Sequence, residues 1–478
     1  MTFHILVPKV KLPRTLSRRT KIIVSLGPAS ENLSIITSMI KAGADVFRLN
    51  FSHGNLQEKE EAIKMIRKAE EITGKHVGII ADLQGPTIRL GDVEKFYVHK
   101  GEIVYLINKE KGDAKKKEIP LPKKEVFEVI DEGDTLLIND GKVMLKARKV
   151  LDDKIVSEVL IDGEIRSRVT FVVREKNPKI NPLSEKDIQD IEFSVKKGVD
   201  FFALSFVRTA EDMIKLRRVV NEFGGEDIKL IAKIETLLGV KNIDSILDAS
   251  DAIMIARGDL GMYFPLEDIP RVQAFLAKKC LESGKPSILA TQILESMIRN
   301  PEPTRAEAAD VYTAVREGIS ALMLSTETAI GNYPLEAVIW LDRIIRAAER
   351  HIKAPKPEAK KQESIHDEFA RGITALAESI KGAIIMYTKR GFTASKISKY
   401  RPRVPVFAAT DSIKTARQIN LLWGITPILV DTEDINEALS IVVETLKRLQ
   451  IVEKGDVLIL TSGVRAGITD LGKIEIIE

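Results

Sequence analysis

The stretch Ile228–Asp259, IKLIAKIETLLGVKNIDSILDASDAIMIARGD, decides the fold of this chain of 478 residues. It holds two short and mostly apolar runs, Ile228–Ile234 and Ala252–Ala256, with a helix-like stretch between them. Runs that stay apolar, instead of alternating with polar residues, are typical of parallel strands that are buried on both faces. Charged residues lie at the carboxyl end of each run. The stretch therefore predicts a strand–helix–strand unit of a parallel sheet with a polar rim.

The same unit recurs along the chain. Six further runs have this composition, and amphipathic segments follow them. These runs are Lys21–Ser25, Asp45–Asn50, Val77–Asp82, Asp200–Phe206, Pro286–Ala290 and Ser320–Leu324. Eight strand–helix units are the number that closes a (β/α)8 barrel. We therefore predict an α/β fold with a (β/α)8 TIM barrel formed by residues 1–86 and 182–350.

Two segments break this rhythm. Residues 87–181 lack a long helical pattern and hold short alternating runs separated by turns, which predicts a small all-β barrel domain. Because it is inserted between the third and fourth strands, we expect it to lie at the mouth of the barrel as a lid.

A Lys- and Pro-rich linker opens residues 351–478, where strands and helices alternate again. That pattern predicts a C-terminal α/β doubly wound domain.

Composition excludes several classes of protein. Hydrophobic residues make up 44% and charged residues 30% of the chain, and no uncharged apolar run is long enough to cross a bilayer. The net charge of +4 is spread along the sequence, which argues against a nucleic-acid partner. The single cysteine, Cys280, excludes an intrachain disulfide framework and a cysteine-built zinc site. We expect a cytoplasmic protein with no membrane partner.

Polar residues gather where the predicted strands end, and this is the edge at which barrel enzymes carry their active sites. The residues concerned are Arg48, Asn50, Ser52, His53, Asp82, Arg89, Ser205, Arg208, Lys233, Glu235, Gly258, Asp259, Thr291 and Glu327. Solvated loops would also place polar residues there, but would not favour so many cations and carboxylates at the strand ends themselves. The pattern predicts an active site at one rim of the barrel.

Two carboxylates indicate a metal site. Lys233 and Glu235 are two residues apart, so both can point to the same side of the fifth strand. Glu235 and Asp259 end neighbouring strands. Carboxylates that converge near Lys and Arg favour a hard divalent cation completed by substrate and water, which suits Mg²⁺. The alternative to a metal site is a simple salt bridge between Glu235 and Lys233. Neither of the two common glycine-rich nucleotide-binding loops is present in the sequence.

Taken in order, these motifs resemble those of the pyruvate kinase family along nearly the whole chain. The matching segments are Thr20–Ser30, Arg48–Gly54, Lys233–Thr236, Ile253–Gly261, Ala290–Met297, Pro303–Glu307 and Met323–Ala329. The β insert also falls in the interval where that family has one. The resemblance implies transfer of a phosphoryl group from phosphoenolpyruvate to ADP, which gives pyruvate and ATP, and it implies a homotetramer under allosteric control.

The resemblance also implies catalytic roles. Glu235 and Asp259 would bind Mg²⁺ or Mn²⁺, and Lys233 would stabilise the charge on the phosphoryl group in flight. Arg48 would bind the substrate phosphate. Thr291 is too weak an acid to protonate the enolate alone, so a water relay through it is the expected route.

Further binding residues are implied in the same way. The backbone N–H groups of Gly258 and Asp259, with Thr291, would hold the substrate carboxylate and the enolate region. The residues expected toward the nucleotide are Asn50, His53 and Arg89. The residues expected at a monovalent cation are Asn50, Ser52, Asp82 and the carbonyl of Leu83.

In this family, the need for K⁺ correlates with the residue type at one position. Members that need K⁺ resemble one another in a Glu at the position of Thr87, and members that do not need it have a Lys there, with Leu, Gln and an aliphatic residue nearby. This chain has Leu83, Gln84 and Leu90 around Thr87. Those neighbours favour independence of K⁺, although Thr87 supplies no replacement charge.

An effector site in the C-terminal domain would use the turn before a predicted helix. Its residues would be Thr388, Arg390, Gly391 and Thr393, with Ser462–Arg465 on a later loop. Hydroxyl groups, cations and a helix start can hold a phosphate. A solvated loop without a ligand explains the same residues equally well, and Lys389-Arg390 departs from the small hydroxyl residues of many sugar-phosphate-sensitive members.

Two other functions remain open from the sequence. One is a barrel aldolase or lyase that acts on pyruvate-like substrates, with Lys233 as a Schiff-base nucleophile. The other is a non-catalytic binding protein that keeps the fold. The joint presence of Arg48, Lys233, Glu235, Asp259 and Thr291 argues against the second.

Overall fold

The computed structural model describes residues 18–139, 141–174, 176, 178–358, 363–462 and 471–478. The strands are β1 Lys21–Ser25, β2 Val46–Asn50, β3 Gly78–Leu83, β4 Phe96–Val98, β5 Ile103–Ile107, β6 Glu118–Pro120, β7 Thr135–Ile138, β8 Val143–Val150, β9 Lys154–Ile161, β10 Gly163–Ile165, β11 Phe171–Val173, β12 Phe201–Leu204, β13 Lys229–Ile234, β14 Ala252–Ala256, β15 Ser287–Ala290, β16 Ala321–Leu324, β17 Ala383–Tyr387, β18 Val406–Thr410, β19 Ile425–Leu429, β20 Val457–Ser462 and β21 Leu471–Ile476. The helices are α1 Leu33–Ala42, α2 Leu56–Thr73, α3 Lys124–Phe127, α4 Glu185–Lys196, α5 Ala210–Glu222, α6 Leu237–Lys241, α7 Ile243–Ala249, α8 Arg257–Leu260, α9 Ile269–Ser283, α10 Arg305–Arg316, α11 Thr326–Ala329, α12 Pro334–His351, α13 Ile365–Ile380, α14 Phe392–Lys399, α15 Ile413–Ile419 and α16 Ile435–Arg448.

Eight parallel strands close into a barrel, as the repeated strand–helix units predict. The order around the barrel is β1, β2, β3, β12, β13, β14, β15, β16 and back to β1. The strands follow one another in chain order. Because they are parallel, all their carboxyl ends meet at one rim. The fold class predicted from the sequence is thereby confirmed.

Side chains alternate between the barrel interior and the surrounding helices. On β13, Leu230, Ala232 and Ile234 belong to the core shared with the helices, whereas Ile231 belongs to a second core cluster inside the barrel. Because side chains alternate along a strand, the interior row of β13 continues from Ile231 to Lys233. An apolar floor therefore supports a charged residue at the rim.

The segment between β3 and α4 is mostly β, as predicted. Strands β5–β9 and β11 form a six-stranded sheet, and β4 pairs with β10 in a separate two-stranded sheet. Buried residues of both sheets, such as Val98 and Leu145, share one hydrophobic core. The short strands β4, β6 and β10 escaped the sequence analysis because three residues are too few to show alternation.

The C-terminal segment contains a five-stranded sheet in the order β19, β18, β17, β20, β21. The first four strands are parallel, and β21 pairs antiparallel with β20 at the edge. Helices α13 and α14 pack with Ile384 and Met386 of β17, while α16 packs with Ile385 and Tyr387. Helices therefore cover both faces of the sheet, as in the doubly wound fold predicted.

One strand boundary differs in a way that affects the site. The run Asp200–Phe206 suggested a strand to Phe206, but β12 ends at Leu204. Phe206 has a φ of 56°, in the left-handed region, which an extended strand cannot contain. The backbone therefore turns at the rim just after β12.

Among the described residues, no helix combines the length and apolar character that a membrane span requires.

Candidate active site

Interior rows of several strands end in polar residues at the same rim. On each of these strands, a polar residue lies two positions beyond a buried apolar residue. The same alternation places Lys233 above Ile231. The corresponding pairs are Ile23 and Ser25, Val46 and Arg48, Ile80 and Asp82, and Ala203 and Ser205. The rim of the barrel thus becomes a polar layer on an apolar floor.

Lys233 and Asp82 form the centre of this layer. The Lys233 Nζ lies 3.3 Å from Asp82 Oδ1 and 3.1 Å from Glu235 Oε1, and it donates to Ser205 Oγ at 2.8 Å. The Arg48 Nε donates to the other carboxylate oxygen of Asp82 at 2.6 Å. The side chains of Asp82 and Glu235 are almost fully buried. Two cations and two buried carboxylates therefore neutralise one another.

The pKa values follow from this arrangement. Burial alone would lower the pKa of Lys233, but the charges of Asp82 and Glu235 outweigh it and raise the pKa above its ordinary value. Burial alone would raise the pKa of Asp82, but Lys233 and Arg48 outweigh it and hold the pKa below its ordinary value. At neutral pH the site therefore presents a fixed ammonium and a fixed carboxylate.

Glu235 and Asp259 are the carboxylates predicted to hold a metal. Glu235 Oε2 accepts a hydrogen bond from the Phe206 N–H at 2.6 Å, so this side chain is fixed at the end of β13. Asp259 is half-buried in the first turn of α8, and its charge contributes to the raised pKa of Lys233. Among the described residues, no group of three or more His, Cys, Asp and Glu side chains could hold a metal ion. Glu235 and Asp259 supply carboxylate oxygens, which are the ligands that a hard cation such as Mg²⁺ prefers.

Thr291 lies in a backbone conformation that is unusual for its residue type. Thr291 and Gln292 have φ values of 70° and 54°, in the left-handed region. Arg257 donates from its guanidinium to the carbonyls of both residues, at 3.0 and 2.8 Å, and pairs with Asp310 at 2.7 Å. The Gly258 N–H, predicted to hold the substrate carboxylate, donates to Thr291 Oγ1 at 2.9 Å. Gly258, Asp259 and Thr291 are thus brought together.

The residues predicted to lie toward the nucleotide are divided between the barrel and the mostly β segment inserted between β3 and α4. Asn50 lies at the end of β2, and its Oδ1 accepts from the Ser52 N–H at 3.0 Å. His53 is exposed in the loop before α2. Arg89 belongs to the inserted β segment, where it donates to the carbonyl of Arg168 at 3.0 Å.

A cavity of about 240 Å³ in the inserted β segment is lined by Arg89, Arg166 and Arg168, together with Asn139 and Thr170. Arg166 and Arg168 were not among the residues predicted from the sequence. The alternating Arg-Ser-Arg pattern at residues 166–168 was a signal that could have indicated them. The cavity adds cationic lining beside a residue expected to bind the nucleotide.

The oxygens expected at a monovalent cation already have donors nearby. Asn50 Oδ1 accepts from Ser52, and the Leu83 carbonyl accepts from Ser205 Oγ at 2.8 Å. Asp82 Oδ1 is buried and accepts no hydrogen bond, but it lies opposite Lys233. Thr87 Oγ1 accepts from Gln84 at 3.1 Å.

The residues predicted for an effector lie around the start of α14. Thr388 and Thr393 are buried, Arg390 is exposed, and Gly391 has a φ of 81°. Lys389 pairs with Glu433 at 2.8 Å. Ser462 ends β20, whereas residues 463–465 lie outside the described part of the chain.

Known proteins match this chain over most of its length. Residues 17–338 match the family model described as pyruvate kinase, barrel domain, and residues 367–475 match the one described as pyruvate kinase, alpha/beta domain. A protein named pyruvate kinase from Agrobacterium vitis is 41% identical over 461 residues, which cover 94% of this chain and 95% of that protein. Proteins of the same name from Clostridium acetobutylicum and Aeropyrum pernix are each 38% identical, over 96% and 90% of this chain and 100% and 93% of their own lengths. The chain therefore belongs to the pyruvate kinase family, and it is a phosphotransferase.

Proposed function

We propose that the rim of this barrel transfers the phosphoryl group of phosphoenolpyruvate to ADP, which yields pyruvate and ATP. In this reaction the bond from phosphorus to the enol oxygen breaks, and a bond from phosphorus to a β-phosphate oxygen of ADP forms. The enolate that remains takes up a proton at carbon. The observation that carries the proposal is the buried Lys233 ammonium, held between Asp82 and Glu235 at the rim.

The reaction needs compensation of negative charge more than covalent chemistry, because charge spreads over the three equatorial oxygens of the phosphoryl group. Lys233 would supply that compensation from a rigid strand end, and Arg48 would bind the substrate phosphate. A preorganised donor of this kind is worth about 3–4 kcal/mol on the barrier. Such groups stabilise the transition state without having to reorganise.

Glu235 and Asp259 would hold Mg²⁺ or Mn²⁺, which when bound neutralises oxygens of the phosphates. Gly258, Asp259 and Thr291 would face the carboxylate and enolate of the substrate. Thr291 would hold a water molecule that delivers the proton, since its own hydroxyl is too weak an acid. Asn50, His53 and Arg89 would lie toward ADP.

The rival lyase function needs a neutral amine at Lys233, because only a free amine attacks a carbonyl. The raised pKa of Lys233 opposes that chemistry, since the side chain stays protonated at neutral pH. Borohydride treatment with pyruvate separates the two functions. Stable labelling of Lys233 would favour the lyase.

The direct test is a coupled assay for pyruvate formed from phosphoenolpyruvate and ADP, with Mg²⁺ titrated. We expect turnover that requires the metal ion and saturates with it. Absence of pyruvate formation at saturating Mg²⁺ and both substrates would overturn the proposal.

Three further properties belong to the same proposal. Residues 87–181 would act as the lid, residues 1–86 and 182–350 as the catalytic barrel, and residues 351–478 as the effector and interface domain. The chain would form a homotetramer, which light scattering tests. An effector would bind near Thr388, Arg390, Gly391 and Thr393, and a screen of phosphorylated metabolites against activity tests that site.

A further inference from the structure

The segment after β12, residues 205–208, contacts the centre of the site through Ser205 and Phe206. Ser205 Oγ accepts from Lys233 Nζ at 2.8 Å and donates to the Leu83 carbonyl at 2.8 Å. The Phe206 N–H donates to Glu235 Oε2 at 2.6 Å. Any shift of this segment would therefore move the hydrogen-bond partners of both Lys233 and Glu235.

The same segment contacts the end of the lid. The guanidinium of Arg208 donates to the Pro178 carbonyl at 3.0 Å and to the Ile180 carbonyl at 2.7 Å. Pro178 and Ile180 belong to the returning segment, residues 178–181, through which the chain leaves the lid for the barrel. Only 12% of the Arg208 side chain is exposed, so these hydrogen bonds are largely shielded from water.

The position of Arg208 is itself fixed from the barrel side. Asp212, in the first turn of α5, pairs with its guanidinium at 3.1 Å and accepts from its backbone N–H at 2.9 Å. Asn242 donates to its backbone carbonyl at 2.9 Å. Arg208 is thus a rigid connection with one end in the barrel and the other at the lid.

Phe206 provides a second contact between the same parts. Its side chain packs in a small apolar cluster with Leu137, Met144 and Val172 of the lid and with Met262 and Tyr263 of the barrel. Its φ of 56° is costly for a large side chain, by about 1–3 kcal/mol, and persists only where the surroundings fix it. The backbone that binds Glu235 is therefore fixed in part by lid residues.

From these contacts we infer that Arg208 is a positioning residue, which ties the returning segment of the lid to the strand end that orients Lys233 and Glu235. The inference rests on the proposed function. Helix capping does not explain the guanidinium, because at the start of α5 the Asp212 carboxylate accepts from the backbone N–H of Thr209 at 3.3 Å. Two of its hydrogen bonds reach residues 28 and 30 positions earlier in the chain.

The test compares Arg208→Ala and Arg208→Lys with Arg217→Ala. Arg217 makes a similar pair of contacts at the opposite end of the barrel, to the Ile228 carbonyl at 2.7 Å and to Asp251 at 2.8 Å. Three quantities are measured on the full chain: kcat and KM, the thermal midpoint, and peptide-level hydrogen exchange over residues 178–181 and 205–208.

We expect Arg208→Ala to lower kcat by about 100-fold, because a misplacement of about 1 Å costs that much. Exchange should accelerate in both segments, while the thermal midpoint stays near that of Arg217→Ala. Arg208→Lys should recover part of the loss, since one ammonium can reach only one of the two carbonyls at a time.

The inference fails if Arg208→Ala has a kcat within threefold of Arg217→Ala, or if exchange accelerates only in residues 178–181. If Arg208→Ala does not fold, Arg208→Lys decides: a kcat at least tenfold below that of Arg217→Ala supports the inference, and an equal one overturns it. The exchange measurement does not depend on turnover. A wild-type chain that makes no pyruvate would therefore overturn the proposed function, whereas the exchange measurement would still test the inference about Arg208.

Discussion

Replacement of Lys233 by Met tests the centre of the site most directly. Methionine keeps most of the length of the side chain and removes its charge, so the apolar floor below it stays filled. The loss of one preorganised donor, about 3–4 kcal/mol on the barrier, corresponds to a fall in kcat of about 100-fold to 1000-fold. Binding of Mg²⁺ and of substrate should persist, because Glu235, Asp259 and Arg48 remain.

The same replacement should destabilise the protein in a manner that depends on pH. Loss of Lys233 leaves Asp82 with Arg48 as its neighbouring cation, and loss of one partner of a buried ion pair costs about 3–5 kcal/mol. The depressed pKa of Asp82 stabilises the wild type above the ordinary aspartate pKa, and this contribution is lost as the pH falls through the folded-state pKa. The difference in stability between variant and wild type should therefore be largest at neutral pH and shrink in acid.

Lys229→Met is the matched control, because Lys229 begins the same strand, is 39% exposed in its side chain and lies 3.7 Å from Asp251. Turnover is followed by pyruvate formation at saturating substrates and Mg²⁺, and stability by calorimetry at pH 7 and at pH values below the ordinary aspartate pKa of 3.8. Near-normal turnover of Lys233→Met would remove Lys233 from the mechanism. An equal loss in Lys229→Met would show that the effect does not belong to the site.

Three other outcomes are expected. Activity in tetramethylammonium buffer should rise little when K⁺ is added, because oxygens expected at the cation already have donors nearby; a large stimulation by K⁺ would contradict this. Glu70→Gln should cost about 3 kcal/mol of unfolding free energy, since buried Glu70 pairs with Arg417 at 2.6 Å and Arg67 at 3.0 Å, whereas exposed Glu71→Gln should change little; equal thermal midpoints would refute the reasoning. Cys280 should resist iodoacetamide at pH 8 until the chain is denatured, because burial raises its pKa to about 12; mass spectrometry of the native protein would show labelling if this is wrong.

The sequence predicted the barrel well because buried parallel strands have a simple signature. Runs such as Ile228–Ile234 are short, apolar and followed by helical patterns, and their polar ends meet at one rim by geometry alone. The neighbourhood of Lys233 and Glu235 followed from alternation along one strand. Local patterns of this kind do not require knowledge of which strands are neighbours.

Other features depend on contacts between distant parts of the chain. Asp82 meets Lys233 across an intervening strand, so its ion pairs cannot be read from either segment alone. The left-handed backbone at Phe206 and Thr291 also lacked a signal, because such conformations are usually marked by Gly or Asn. The contact between Arg417 and Glu70 joins residues 347 positions apart. The precise assignment of site residues stays a prediction for the same reason.

The point at which the mostly β segment is inserted has an evolutionary consequence. Strands β3 and β12 are neighbours in the barrel, with Leu83 opposite Leu204, and α4 makes the crossover between them. The chain therefore leaves the barrel and returns to it within a single crossover between neighbouring strands. The inserted domain can lengthen, shrink or be exchanged between genes without changing the order of the barrel strands. Recombination at this position could give the same barrel a different inserted domain, provided that the new domain also contacts Phe206 and Arg208.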